Sequence, residues 1–144
     1  MLPLGVISGF VATLGMDLVM GRLPEGGTAP KVAAGVLTGK HPDDSSERLS
    51  EFVHYFAGAG SGALYAYLYL GVGSFSALSA SAEVAFTAAV LYLGMVGFFV
   101  VVPLRACSVE KGRRSEVARD WGVSALVYVS VVSPVFTALS YVAG

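Results

Sequence analysis

The sequence predicts an all-α, polytopic membrane protein: a bundle of four transmembrane helices with a short interfacial helix in the first cytoplasmic loop, folded as a single domain over residues 1–144. Three observations carry this prediction. Of the 144 residues, 55% are apolar and only 13% are charged, the balance of a chain whose solvent is largely hydrocarbon. The charges cluster so as to leave four nearly uncharged stretches, each close to the roughly 20 residues a helix needs to cross about 30 Å of lipid at about 1.5 Å per residue. All 9 Lys and Arg residues fall in two of the three connecting segments.

The first span, about residues 2–20, is uncharged up to Met16 and is interrupted by Asp17. It has no basic start and no small-residue cleavage site, so it reads as a membrane helix and not as a secretory signal. The second span, about 49–70, finishes where Gly71, Gly73 and Ser74 mark a loop. The third, about 83–104, is rich in Val, Phe and Leu and is closed by Pro103. The fourth, about 120–142, contains Pro134, which should bend it. Between the first two spans, Leu23, Pro24, Gly26 and Gly27 break the chain and Thr28 and Pro30 open a helix. Val32, Ala33, Val36 and Leu37 then recur at helical spacing, so a short interfacial helix is expected. Asp44, Ser45, Ser46 and Glu47 read as a capping box for the second span.

Cytoplasmic loops carry the Lys and Arg excess. With Arg22, Lys31, Lys40 and Arg48 in the first loop and Arg105, Lys111, Arg113, Arg114 and Arg119 in the third, segments 21–48 and 105–119 should face the cytoplasm. Both termini should then lie outside the cell membrane. The same one-sidedness argues against a dual-topology exporter.

Helices in lipid meet through small and polar residues. Gly5, Gly9, Thr13 and Asp17 recur every four residues, beside Ser8 and Ala12. On the second span His54, Gly58, Gly62, Tyr65 and Tyr69 share a face with Ser61. These two stripes should meet, with Gly5, Gly9, Thr13, Gly58, Gly62 and Tyr65 as the packing residues. Ser130, Ser133, Thr137 and Tyr141 give the fourth helix a hydroxyl-bearing side. The third offers mainly Thr87, Gly94 and Gly97 and should be the most lipid-facing.

Charge inside a span is costly and marks candidate sites. Asp17, Glu51, His54, Arg105 and Asp120 fall at one level of the expected bundle. They read either as a polar collar satisfying itself where lipid meets headgroups, or as a proton or cation site in which Asp17 binds and His54 titrates. A haem on His54 would need a second ligand from another copy or a partner. Tyr65, Tyr67, Tyr69, Tyr92, Tyr128 and Tyr141 read as interface anchors and core contacts. Cys107 is a single thiol that could take a palmitoyl chain, although an unmodified thiol is the simpler reading. Two histidines and one cysteine make no metal motif, and no nucleophile or phosphate-loop motif occurs, so neither a metal site nor catalysis is expected. A net charge of −1 offers no basic surface to nucleic acid.

The segment Glu51-Phe52-Val53-His54-Tyr55-Phe56, followed by Gly58, Gly62, Ala63 and Tyr65, resembles the His-aromatic, Gly, Gly, Tyr signature of the YagU-like small integral membrane proteins. The opening from Gly9 to Thr13, leading to Met16 and Asp17, is similar to that group's first helix. The resemblance spans about half the chain and implies a four-helix membrane bundle of uncharacterised role. Asp120-Trp121-Gly122 stands where a second His-aromatic-Gly helix would close such a chain, so a role needing two such histidines is in doubt. The expected function is a subunit or accessory factor of a membrane complex, bound to lipid and to copies of itself or to a larger assembly. The rival is a homo-oligomeric proton- or cation-linked transporter or channel built on Asp17 and His54.

Overall fold

A computed structural model describes residues 1–75 and 77–144, which contain helices and connecting turns but no strand. The helices are α1 (Leu2–Met20), α2 (Thr28–Thr38), α3 (Glu47–Phe75), α4 (Ala80–Val101), the single turn α5 (Pro103–Ala106) and α6 (Lys111–Ala143), with a 3-10 turn at Pro42–Asp44. Three stretches, Leu2–Met20, Ala80–Ala106 and Lys111–Ala143, are long and apolar enough to cross a membrane. α3 is long enough, at 29 residues, but His54, Gly58, Gly60, Gly62 and its tyrosines dilute its hydropathy. The four apolar spans expected from charge spacing therefore reduce to three by this measure, because an uncharged stretch need not be a strongly apolar one.

Helix ends depart from the expected ones where water replaces lipid. α3 begins at Glu47 and α6 at Lys111, two and nine residues before the expected starts, because charged turns extend a helix beyond the segment that lipid requires. Ser46 directly precedes α3 and Asp44 closes the 3-10 turn, so the expected box falls out of register with the helix start. His41 caps that turn instead, its Nδ1 accepting from the Asp43 amide at 3.3 Å. α6 runs through Pro134 as one helix. α2 occupies the segment that the spacing of Val32, Ala33, Val36 and Leu37 marks, and ends at Gly39, whose φ of 68° is left-handed.

α1 packs along α3 on one side and α6 on the other, α4 touches α3 and α6, and α2 covers one end. The α1–α3 contact is the closest. A Cβ on Gly5 would sit 2.5 Å from the Gly62 carbonyl oxygen, and one on Gly9 2.5 Å from that of Gly58. Backbone meets backbone there, which only glycine permits. Tyr65, Tyr128, Phe136 and Met16 fill the adjoining core, with Tyr65 and Phe136 edge to face at 5.4 Å. α4 is the least buried of the three apolar stretches.

Of the hydroxyl side expected of α6, only Ser133 lies on the packed face. Ser130 and Thr137 are exposed, and each gives its hydroxyl to its own helix, at Leu126 and Ser133, so neither needs a neighbouring helix. Beside Ser133, the buried face carries Asp120, Ser124, Tyr128, Val132 and Phe136. Tyr67 and Tyr141 are exposed, whereas Tyr65 and Tyr128 belong to the core. Cys107 is buried and its Sγ donates to the Leu104 carbonyl at 3.2 Å, which leaves no accessible thiol for acylation.

Candidate functional site

The five candidate charged residues do not form one collar. Asp17, on the last turn of α1, meets α3 through both carboxylate oxygens. Oδ1 lies 2.7 Å from His54 Nε2, and Oδ2 accepts from the Tyr55 hydroxyl at 2.6 Å. Both oxygens of an ionised Asp17 can only accept, which assigns the ring proton of His54 to Nε2. Tyr55 packs against Phe10 and against His54 itself, with centroids 5.5 Å apart in each pair. Glu51, one turn earlier, is exposed and makes no hydrogen bond among the described residues.

Asp120 is elsewhere. The early start of α6 puts it three turns into the helix, where it is fully buried. Its Oδ2 accepts from the Glu25 amide at 2.8 Å, and its Oδ1 accepts from Arg119 Nε at 2.9 Å. It anchors the α1–α2 loop and does not face Asp17. Arg105 is exposed in α5, beyond the break at Pro103, and pairs with nothing among the described residues.

The structure adds a second ionic cluster that the charge pattern does not announce. Arg113 donates to Glu25 from Nε (2.7 Å) and Nη2 (3.1 Å), and to Asp43 from Nη1 (2.8 Å) and Nη2 (3.1 Å). Glu25 also accepts from the Thr28 hydroxyl at the start of α2. One guanidinium thus ties both ends of the α2 segment to the first turn of α6, in the paired geometry that favours arginine over lysine.

Hydrogen bonds from Arg113 hold both carboxyls below their ordinary values of 4.5 for Glu25 and 3.8 for Asp43. The folded protein therefore binds fewer protons there than the unfolded chain. The stabilisation is complete above those ordinary values and is lost as pH falls through the lower folded ones. Amides 28–38 should consequently exchange with solvent slowly at neutral pH and severalfold faster, after correction for intrinsic rates, once pH drops below about 4. Arg113→Gln should give the fast pattern already at neutral pH, with trypsin cutting at Lys31 and Lys40.

Beside Asp17 and His54 lies a cavity of about 480 Å³, within the range of sites for small organic ligands. His54, Gly58 and Ser61 of α3 face Leu91, Gly94 and Met95 of α4 across it. Thr13 and Met16 of α1 and Trp121 and Tyr128 of α6 form the inner wall, and Ala29, Pro30 and Ala33 of α2 close one end. Exposed Leu64, Val90 and Phe98 flank it on the outer side, between α3 and α4.

No family model, no curated protein and no solved structure matches this chain.

Its polar lining is sparse and mostly committed. Thr13 gives its hydroxyl to Gly9 and Tyr128 gives its own to the Gly58 carbonyl at 2.6 Å. Trp121 donates to the Met95 carbonyl at 3.3 Å and lies against Phe99. His54 Nδ1 and the Ser61 hydroxyl have no partner among the described residues. An iron on His54 would have to use Nδ1, since Asp17 occupies Nε2. No motif announces this cavity in the sequence: most of its walls are apolar residues, indistinguishable one by one from lipid-facing ones. Tyr55, adjacent to His54, could have been found by asking what satisfies the second oxygen of Asp17.

Proposed function

We propose that this chain is a four-span integral membrane protein that binds without catalysing, an accessory component that holds an apolar guest in the cleft between α3 and α4. The observation that carries this reading is the cavity of about 480 Å³ whose free polar groups are confined to His54 and Ser61. The fourth span is α3. Arg113 joins the segment after α1 to the start of α6, so loops one and three lie at the same end. If α4 alone crossed the bilayer between them, they would lie on opposite sides; a crossing by both α3 and α4 removes that conflict. The glycine seam that runs α3 along α1 supports the same count. With all the basic residues in those two loops, that end is cytoplasmic and both termini are outside the cell membrane. The resemblance to YagU-like proteins agrees with this architecture.

Mild extraction from native membranes followed by native mass spectrometry tests the reading. The expected result is the 14.9 kDa chain, alone or with partner subunits, carrying an adduct of lipid mass that is lost on activation in the gas phase. A chain that is always bare would overturn it.

The contact of 2.7 Å between Asp17 and His54 supports a second reading, a homo-oligomeric carrier of protons or cations. On that reading wild-type proteoliposomes pass protons or cations in a pH-dependent way, and Asp17→Asn abolishes the flux while the oligomer still assembles. On the first reading wild-type vesicles are tight, and Asp17→Asn costs only stability, about 1–3 kcal/mol for weakened charged hydrogen bonds.

A further inference from the structure

We infer that the guest is a neutral lipid whose polar end is a hydroxyl, a long-chain alcohol seated with its chain between α3 and α4 and its O–H donating to His54 Nδ1. The inference rests on the guest-binding reading above and goes beyond it to the chemical class. Three observations on the cavity decide that class.

The first is the direction of the hydrogen bond on offer. Asp17 Oδ1 accepts a hydrogen bond from Nε2–H, as its Oδ2 accepts one from the Tyr55 hydroxyl. In the neutral ring Nδ1 is then a bare acceptor, on a residue that lines the cavity and has no other partner for that atom among the described residues. It can be satisfied only by a donor. A hydroxyl supplies one, whereas an ester, an ether or a hydrocarbon does not.

The second is charge. The group next to the acceptor is the Asp17 carboxylate, with Glu51 one turn earlier on α3, and none of the residues lining the cavity is a lysine or an arginine. A fatty acid anion or a phosphate headgroup placed at His54 would meet negative charge with no cation to offset it, in surroundings of low dielectric.

The third is shape. The α3 lining runs from Val53 to Leu68, about 22 Å along the helix axis at about 1.5 Å per residue, so the site is a slot that suits an extended chain. Ser61 stands two turns along from His54 on the same face, with its hydroxyl uncommitted. Ser8, Ser50, Ser74, Ser124, Ser130 and Ser133 give theirs to a carbonyl four residues earlier, and Ser140 gives its own to Met1 Sδ. Ser61 can meet a second polar feature of the chain or a water without disturbing the helix. Gly94 opposite leaves open space where a side chain would otherwise stand.

Trp121 is the only tryptophan in the chain and lines the cavity, so its fluorescence reports occupancy. The full-length protein in detergent is titrated with a bromine-labelled long-chain alcohol, with the bromine-labelled fatty acid of the same length, and with the corresponding bromoalkane, all at matched micellar mole fractions. The alcohol should quench Trp121 saturably and at least about tenfold more tightly than either of the others, as one added hydrogen bond permits. His54→Phe should reduce the alcohol to the level of the bromoalkane. Gly94→Phe, which fills the slot at a position open to a side chain, should abolish saturable quenching by all three at an unchanged melting temperature. Equal quenching by all three in the wild type would overturn the hydroxyl assignment while leaving guest binding intact, and a preference for the acid would overturn it as well. No saturable quenching by any of them would defeat the guest-binding reading itself.

Discussion

Gly62→Val should destroy the α1–α3 seam, with a loss of more than about 3 kcal/mol and little folded protein recovered from the membrane. The atoms facing Gly62 are the Gly5 carbonyl oxygen and the Gly9 Cα and amide. These are backbone, not the ends of flexible side chains, so they cannot give way without moving all of α1. α1 is also the helix that α6 packs on, and the damage should spread to the second half of the bundle. Gly60→Ala is the matched control: Gly60 lies two residues away on the same helix, a Cβ there meets nothing within 4 Å, and alanine favours a helix over glycine by up to about 1 kcal/mol. Thermal unfolding of the two variants in one detergent, followed by circular dichroism, checks the pair. Comparable melting of Gly62→Val and Gly60→Ala would show that the helices do not meet along this stripe.

Asp120→Ala should be the next most damaging change, at about 1–3 kcal/mol and an apparent melting temperature lower by roughly 5–10 °C. The Asp120 side chain is fully buried, whereas that of Arg119 is 61% exposed. On truncation, the arginine simply returns to water. The Glu25 amide, which donates to Oδ2, loses its acceptor inside the protein, and that unmet donor is the main cost. Release of Glu25 also unseats its pairing with Arg113, so α2 should exchange faster even where the membrane helices hold. Asp120→Asn keeps one carbonyl oxygen and should lose clearly less than alanine. Amide exchange over residues 28–38, measured for the three proteins at neutral pH, separates loss of the anchor from general instability. If alanine and asparagine behaved alike, the carboxylate would owe its position to packing and not to the Glu25 amide.

The sequence by itself determined the helical class and the membrane solvent, but not the helix ends: α3 runs on through Gly71, Gly73 and Ser74 to Phe75, and α6 starts at Lys111. Class and solvent depend on local composition and on 3.6-residue periodicity, both of which are read along the chain. Even the α1 stripe of Gly5, Gly9 and Thr13 is legible this way, because close backbone approach selects small residues at a fixed interval. What only the tertiary structure decided is which polar groups meet. Arg113 finds Glu25 and Asp43 across 88 and 70 residues, and Asp120 turns to the Glu25 amide and away from Asp17, because helix starts set by water-side charged turns shift the angular position of every later side chain. Depth in the membrane can be estimated from spacing, but the angle about each helix axis is settled by packing. The cavity is the strongest case. It exists because α3 is drawn tightly to α1 by glycines and α4 to α6 through Trp121, which opens a gap along part of the α3–α4 contact, and a gap between two helices has no residue of its own to announce it.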